Sequence, residues 1–450
     1  MRNIKLALLC LLGLLAIGWA LAEDRLLTAA DFFAHRAILM QLSGIIAIGC
    51  MSAALLLALR PRWPERWFGG LDKMYRLHKW LGISALVVAV MHWLLAKGPK
   101  WASQLGLLQP GSRPARVPIT DPVQAFLNEW RGTAESVGEW AFYGAALLLV
   151  LALVPLFPYR LFYKTHRLLA LAFLALVFHA AVLLNFPYWT RPIGWLVGLL
   201  LIGGCFASIL LLLRRAGSDR QVWGRIVDLK HFAGVRALEV RIALADGWPG
   251  HKAGQFAFAM SDPAEGPHPY TIASCWKPGD GHLTIIAKEL GDHTRRLRDK
   301  LKVGQAVRVE GPYGCFTFDD GHLHQIWVAG GIGITPFIAR LEEMAAATGP
   351  GDWPEGQLID LIHTTTEVDE EALGRLSASA RAANVRLHLL IGARDGRLTG
   401  ERLRELVPDW EKASVWFCGP AAFSAALKQD LAAHGFPVDK RFHQELFAMR

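Results

Sequence analysis

Apolar residues crowd the first half of this chain. Between residues 4 and 213 they fall into six blocks, 4–22, 36–59, 77–97, 138–156, 162–184 and 193–213. Each is close to the ~20 residues an α-helix needs to cross a hydrocarbon layer, so the pattern predicts six membrane-spanning helices. The stretch 98–137 is Gly- and Pro-rich, with an amphipathic helix expected near 121–137. From residue 222 the period changes. Short alternating runs between Gly/Pro turns (VWGRIVDL, VRALEVRIA, GQFAFAM, AVRVEG) predict a small antiparallel β-barrel reaching about 318. From about 324, apolar strands alternate with helical stretches (QIWVAGGIGITPF, LIDLIH, VRLHLL, ASVWFCG), the pattern of an α/β nucleotide-binding domain. The expected organisation is a six-helix transmembrane bundle over 1–215, an antiparallel β-barrel domain over 216–320 and an α/β domain over 321–450.

Charge changes the picture in one respect. The chain of 450 residues carries a net charge of +9, with only 19% charged residues. Its cations gather at the ends of apolar blocks: Arg60, Arg62, Arg66, Lys73, Arg76 and Lys79 after the second, Arg160, Lys164 and Arg167 between the fourth and fifth, and Arg214, Arg215 and Arg220 after the sixth. The positive-inside rule accounts for this basicity and puts those three regions, with both termini, on the cytosolic side of a bacterial inner membrane. Nucleic acid is therefore not an expected partner; membrane lipid is. Lys100, Arg113, Arg116 and Arg131 in the outer stretch run against the rule. Residues 1–22 read either as a first span or as a signal peptide, with a basic start, an apolar run and an Ala-Leu-Ala ending. Six cysteines include no C-x-x-C, so neither an iron–sulfur cluster nor structural zinc is indicated, and no disulfide is expected. A G-x-x-x-x-G-K-[ST] loop is missing, which removes ATP hydrolysis.

Two histidine pairs stand out inside the apolar blocks. His78 and His92 are 14 positions apart, and His166 and His179 are 13 apart. An ionisable residue in lipid is costly and marks function by default. Imidazole is a common axial ligand to haem iron, and four of them make two bis-His sites. Spans three and five run in the same direction, so His78 should meet His166 at the cytosolic level and His92 should meet His179 at the outer level. A rise of ~1.5 Å per residue sets the levels ~20 Å apart. Fourteen residues return a side chain to within ~40° of the same face, whereas thirteen leave it ~140° away. Span five should then contain a bulge or bend, or the two sites lie at different azimuths. The competing reading is four histidines satisfied by hydrogen bonds between helices.

The second half adds candidate nucleotide sites. The barrel carries His268-Pro269-Tyr270-Thr271, followed by Ser274, Lys288 and Gly291-Asp292-His293-Thr294 at the start of a basic helix. A helix N-terminus with a Thr hydroxyl suits a flavin pyrophosphate; Tyr270 either stacks on an isoalloxazine or fills the barrel. In the α/β part, Gly330, Gly331 and Gly333 follow an apolar strand and precede a helix opened by Thr335 and Pro336, the context in which backbone amides approach a dinucleotide phosphate. Cys418-Gly419-Pro420 ends another strand, with the thiol a candidate neighbour of a nicotinamide.

Taken in order, the spaced histidines, HPYTIAS, KELGDHT, EGPYG, AGGIGITP, FCGP and an aromatic near the C-terminus resemble the ferric reductase and NADPH oxidase superfamily, in its compact prokaryotic form. The resemblance runs from the second span to the C-terminus. It implies that His78 and His166 hold an inner b-type haem and His92 and His179 an outer one. It puts His268, Pro269, Tyr270, Thr271, Ser274, Lys288, His293 and Thr294 at FAD. Gly330, Gly331, Gly333, Thr335, Pro336, Cys418, Gly419 and Pro420 fall at NAD(P)H. Phe447 becomes the aromatic covering the flavin, and Arg36 an arginine near the outer haem. Arg76, Lys79, Lys164 and Arg167 are placed to meet propionates of the inner haem. Tyr270 replaces a commoner Phe, and three residues follow Phe447. The acidic end of His363-Thr364-Thr365-Thr366-Glu367 does not favour a 2′-phosphate. The implied activity passes electrons from cytosolic NAD(P)H through FAD and two haems b to an outer one-electron acceptor, first O2 giving superoxide. A ferric chelate, or a periplasmic partner protein fed by an electron-transfer subunit, is the alternative; His35 is the one metal-binding side chain noted outside.

Overall fold

The apolar blocks form helices because they combine strong helix formers with no polar group to place in lipid. A computed structural model describes residues 2–108, 119–346 and 356–445. They group into two compact units, one built on residues up to 216 and the other on 217–445, with the short segment 69–72 assigned to the second.

The first unit contains α1 (Arg2–Ala20), α2 (Phe32–Ala58), the short α3 (Glu65–Phe68), α4 (Leu71–Gln104), α5 (Pro122–Glu129), α6 (Arg131–Leu153), α7 (Tyr159–Thr165), α8 (Leu168–Leu183) and α9 (Pro192–Leu212). Counting α7 and α8 as one span, six helices among the described residues are long and apolar enough to cross a membrane. Asp31 caps α2, its carboxylate accepting from the Ala34 amide at 2.7 Å. Asp121 and Pro122 start α5, which covers only the first half of the amphipathic helix expected near 121–137; the second half belongs to α6. Helices approach closely where one offers only a glycine. A Cβ on Gly49 would come within 2.6 Å of Leu15, and one on Gly204 within 2.4 Å of Phe173. One apolar cluster joins Leu15, Trp19, Ile45, Phe173 and Val197; another joins Ile4, Cys50, Leu77 and Leu81.

Three spans differ most from their sequence reading: α6 begins at Arg131 instead of 138, taking in residues expected outside the span. α4 starts at Leu71 instead of 77, because Asp72, Lys73 and Arg76 extend the helix past the apolar block. It also continues through Pro99 to Gln104. The irregularity expected in span five lies at His166 and Arg167, a turn between α7 and α8. There Leu169 N bonds His166 O at 3.1 Å and Ala170 N bonds Arg167 O at 3.1 Å. These i→i+3 bonds overwind the chain, so the break is a tightened turn and not a bulge.

In the second unit β1 (Gln221–Phe232), β2 (Ala237–Leu244), β3 (Phe256–Met260), β4 (His268–Thr271), β5 (His282–Lys288) and β6 (Ala306–Tyr313) form an antiparallel sheet in the order β4-β3-β6-β1-β2-β5. Its edges meet through the Ile272–Ile285 bridge and the Ala273 N to Thr284 O bond of 2.8 Å, so the sheet curls nearly into a barrel. Alternation supplies the interior: Val222, Ile226, Val240, Ile242 and Ile285 are buried. α10 (Asp292–Arg295) and α11 (Leu297–Lys300) follow β5.

The remainder is a doubly wound layer of β7 (His324–Gly330), β8 (Leu358–Thr365), β9 (Arg386–Ile391), β10 (Ser414–Cys418) and β11 (Phe442–Gln444), all parallel, in the order β11-β10-β7-β8-β9. α12 (Thr335–Ala346) and α13 (Glu370–Ala382) bury Phe337, Leu341 and Leu376 on one face. α14 (Gly392–Asp395) follows β9, and α15 (Gly400–Leu406) and α16 (Ala421–Ala433) bury Leu403, Leu427 and Leu431 on the other. Ion pairs join this layer to the barrel: Lys288–Glu367 at 2.6 Å, Arg236–Glu367, Lys230–Glu371, and Arg375–Glu239 at 3.3 Å.

His251 and His363 are 8% and 6% exposed, and burial pushes each down to about 4. Both are neutral in the folded protein at pH 7, whereas an unfolded chain protonates them near 6.5. Between those values the unfolded state binds more protons, so their contribution is full above pH 6.5 and falls as pH drops toward 4. Resistance to thermal unfolding should therefore weaken as pH falls from 7 to 4.5. His363→Gln should flatten that dependence by about 2 kcal/mol, and an unchanged slope would sink the assignment.

Candidate functional site

The membrane unit brings the four histidines together in pairs. His78 and His92 lie on the single helix α4; His166 caps α7 and His179 lies on α8. The ring centres of His78 and His166 are 5.9 Å apart, and those of His92 and His179 are 6.3 Å apart. The tightened turn at His166 is what lets a 13-residue spacing on one side face a 14-residue spacing on the other.

Three rings are oriented by neighbouring helices. His78 Nδ1 lies 2.9 Å from the Ala54 carbonyl of α2, His179 Nδ1 lies 2.9 Å from the Ala134 carbonyl of α6, and His92 Nδ1 lies 3.1 Å from the Met40 carbonyl and 3.0 Å from Ser43 Oγ. A carbonyl only accepts, so in each case Nδ1 carries the proton and Nε2 keeps its lone pair. Gly138 is required for this packing: a Cβ there would come within 1.9 Å of His179 Nδ1. Arg36, half-buried on α2, donates from Nε to the Leu95 carbonyl at 2.6 Å and from Nη2 to the Ala96 carbonyl at 3.3 Å.

In the barrel, β4 and the α10 turn bring their motifs into contact. The rings of His268 and His293 stack with centres 3.6 Å apart and planes 11° from parallel, and the Tyr270 hydroxyl lies 3.1 Å from His293 Nε2. Burial, reinforced by His293, pushes His268 down to about 4, and burial lowers His293 too. Both rings are therefore neutral hydrogen-bonding groups at pH 7. Glu265 lies close enough to form a metal-ligand set with them. Two parallel rings cannot aim in-plane lone pairs at one ion, which disfavours a metal in this arrangement. Thr294 Oγ1 accepts from the Leu290 and Gly291 amides at 3.0 and 3.1 Å. Ser274 Oγ accepts from the Thr284 amide at 3.1 Å and so helps close the barrel. Lys288 is held by Glu367. Pro269 is exposed and Thr271 is buried in the ladder with Phe256.

In the α/β layer, the Gly-rich turn and the Cys418-Gly419-Pro420 turn converge. A Cβ on Gly330 would meet Pro420 at 2.9 Å, and one on Gly333 would meet the Cys418 carbonyl at 2.1 Å. Gly331 has φ +56°, which favours glycine. β7 and β10 are adjacent, and the chain winds outward from them in both directions. Their carboxyl ends form the topological switch point where open α/β sheets bind ligands. Thr335 Oγ1 donates to the Ile332 carbonyl at 2.8 Å, and Pro336 is buried behind it. Cys418 is fully buried. Sequence reasoning passed over Glu445, which is 6% exposed, adds to the upward shift of the Cys418 thiol, and would lie 3.1 Å from a Cβ on Gly314. A single carboxylate in the otherwise uncharged run 442–447 was the available signal. Phe447 lies outside the described residues.

Residues 43–177 match the family described as ferric reductase like transmembrane component, and residues 232–317 match an FAD-binding domain. The chain fits the ferric reductase and NADPH oxidase superfamily. Its transmembrane match takes in His78, His92 and His166 and ends just before His179. The reductase component of propane 2-monooxygenase from Rhodococcus jostii is 28% identical over 181 residues, covering 37% of this chain and 47% of that protein. The flavohemoprotein of Xylella fastidiosa is 28% identical over 221 residues, covering 45% and 53%. The chain thus spans about half the length of the curated relatives it matches. Among solved structures, a ferredoxin NADP+ reductase from Neisseria gonorrhoeae with bound FAD and NADP is 18% identical, covers 50% of this chain and 98% of its own, and has a TM-score of 0.42. This superfamily member is an integral membrane protein that joins a ferric reductase-type membrane component to an FAD-binding module.

Burial pushes the Cys275 thiol up to about 11 and the Cys418 thiol well above the ordinary range. At pH 8 iodoacetamide should leave both unmodified in the native protein and label them after denaturation, as read by peptide mass spectrometry. Native labelling of Cys418 would show that the strand edge opens.

Proposed function

We propose that this protein is a transmembrane oxidoreductase. In this reading electrons pass from NAD(P)H on the cytosolic side, through FAD and two b-type haems, to a one-electron acceptor on the outer side. The observation that carries the reading is the pair of facing imidazole sets. A ligating imidazole nitrogen sits about 2 Å from a metal, so two such bonds plus half of each ring span about 6 Å between ring centres. The two separations, 5.9 and 6.3 Å, fit that span. The tautomer fits as well, since His78, His92 and His179 spend Nδ1 on helix carbonyls and keep Nε2 as donor to a metal.

FAD, when bound, converts a two-electron donor into the single electrons that haem accepts. The chain's own residues then have distinct tasks. His78 and His166 hold the inner haem and His92 and His179 the outer one. Lys79, Lys164 and Arg167 supply positive charge near the inner level, where propionates need it. His268, Tyr270 and His293 form the flavin-side surface, with hydrogen bonds and ring faces in place of fixed positive charge. Glycines 330, 331 and 333, with Gly419 and Pro420, bring bare backbone to the nucleotide phosphates. His92 and His179 would hold the outer haem between them, and that group would supply single electrons to oxygen, with superoxide as the expected product. The basic segments at 60–79, 160–167 and 214–220 favour the cytosolic side for the flavin and nucleotide modules, and a bacterial inner membrane as the location.

His92→Leu should remove the outer haem, halving the reduced-minus-oxidised Soret amplitude per protein, while NAD(P)H oxidation by soluble dyes persists. Full amplitude in that variant would overturn the ligand assignment. In sealed vesicles supplied with NAD(P)H, outer cytochrome c reduction that superoxide dismutase abolishes is the expected result. Dismutase-insensitive reduction of ferric citrate without oxygen would instead identify a ferric-chelate reductase.

A further inference from the structure

α4 contains a proline that the helix does not end on. Pro99 has no amide hydrogen, so the Leu95 carbonyl, four residues earlier, loses its helical donor, and the ring crowds that same turn. At the outer end of span three a part-buried carbonyl left without a donor is costly. The donor that replaces the missing amide comes from another helix. Arg36 Nε is 2.6 Å from the Leu95 carbonyl, and Arg36 Nη2 is 3.3 Å from the Ala96 carbonyl.

The same stripe of α2 continues down to the outer histidine. Arg36, Met40 and Ser43 follow the i, i+4, i+7 spacing of one helix face. Met40 offers its carbonyl and Ser43 its hydroxyl to His92 Nδ1. Arg36 therefore grips α4 one turn beyond His92, while Met40 and Ser43 orient the ring itself. On the opposite side Lys97 pairs with Glu139 of α6 at 2.7 Å.

We propose that Arg36 is a positioning residue for the outer haem ligand: it substitutes for the amide that Pro99 lacks and fixes the height and rotation of His92. This rests on the haem reading above, and it differs from a role in which the guanidinium acts directly on the haem or on the acceptor. The two roles separate in a rescue experiment, because Pro99→Ala restores an amide to Leu95 O without restoring any charge.

Arg36→Met, Pro99→Ala and the double variant would be purified with ample haem supply and their haem and flavin measured per protein. The expected result is that Arg36→Met keeps its flavin and the inner haem but falls to about half the wild-type haem. Pro99→Ala keeps both haems, and the double variant returns to near the wild-type value. A double variant as depleted as Arg36→Met overturns the proposal, as does full haem retention in Arg36→Met. Loss of flavin and both haems together in Arg36→Met would show a general folding role and overturn it too. Wild-type protein without any haem would remove the underlying reading instead, and is recognised before any variant is made.

Discussion

An imidazole inside hydrocarbon has to place two nitrogens, and everything in the membrane unit follows from where they go. Three of the four histidines give Nδ1 to a carbonyl of a neighbouring helix. That arrangement fixes the tautomer and leaves the other nitrogen its lone pair, on rings whose centres lie 5.9 and 6.3 Å from their facing partners. Helices α2 and α6 thus act as braces for α4 and α8. The positions where they brace most closely, Gly44 and Gly138, have no side chain in the way: a Cβ on Gly44 would already touch His92 at 3.4 Å. The alternative reading, in which helix–helix hydrogen bonds satisfy the histidines entirely, accounts for only one nitrogen in each of these three rings.

The second unit solves a different problem. In the proposed reading it brings a flavin surface and a dinucleotide surface into one module without burying unmatched backbone. The barrel does so by drawing β4 and the α10 turn together until His268 and His293 stack. The α/β layer does so by placing two glycine-containing turns at adjacent strand ends, where Gly330 and Gly333 tolerate contacts that any side chain would block. Strand order, more than any single motif, creates that meeting point: β7 and β10 are distant in sequence and hydrogen-bonded in register from Ser414–Gln325 to Cys418–Ala329.

Much of this was legible in the chain because hydropathy and period report burial directly. The six spans, the alternating barrel strands and the strand–glycine–helix turn all come from that signal. Its limits are physical too. Hydropathy missed the start of α4, since the polar residues Asp72, Lys73 and Arg76 are helical without being lipid-facing. It gave the irregularity in span five no location, because the tightened turn at His166 has no Pro or Gly to mark it. Pairing across the sequence is also invisible: nothing local connects Arg36 to Leu95, Lys288 to Glu367, or Glu445 to Cys418. Lys288, expected at the flavin, and Glu367, whose charge does not favour a 2′-phosphate, are paired with each other in the fold.

That last contact has a mechanical consequence. The barrel and the α/β layer share an apolar cluster, in which Ala253, Phe316 and Phe318 pack with Trp327, Phe337 and Trp416, and side-chain charges rim it: Lys230, Arg236 and Lys288 on one side meet Glu371 and Glu367 on the other, and Glu239 meets Arg375 in the reverse sense. Exposed pairs of this kind are individually weak, and dissolved ions screen them over ~8 Å at physiological strength and ~3 Å at 1 M. Ionic strength therefore loosens only the charged rim of this seam, while the apolar cluster beneath it keeps the two modules joined.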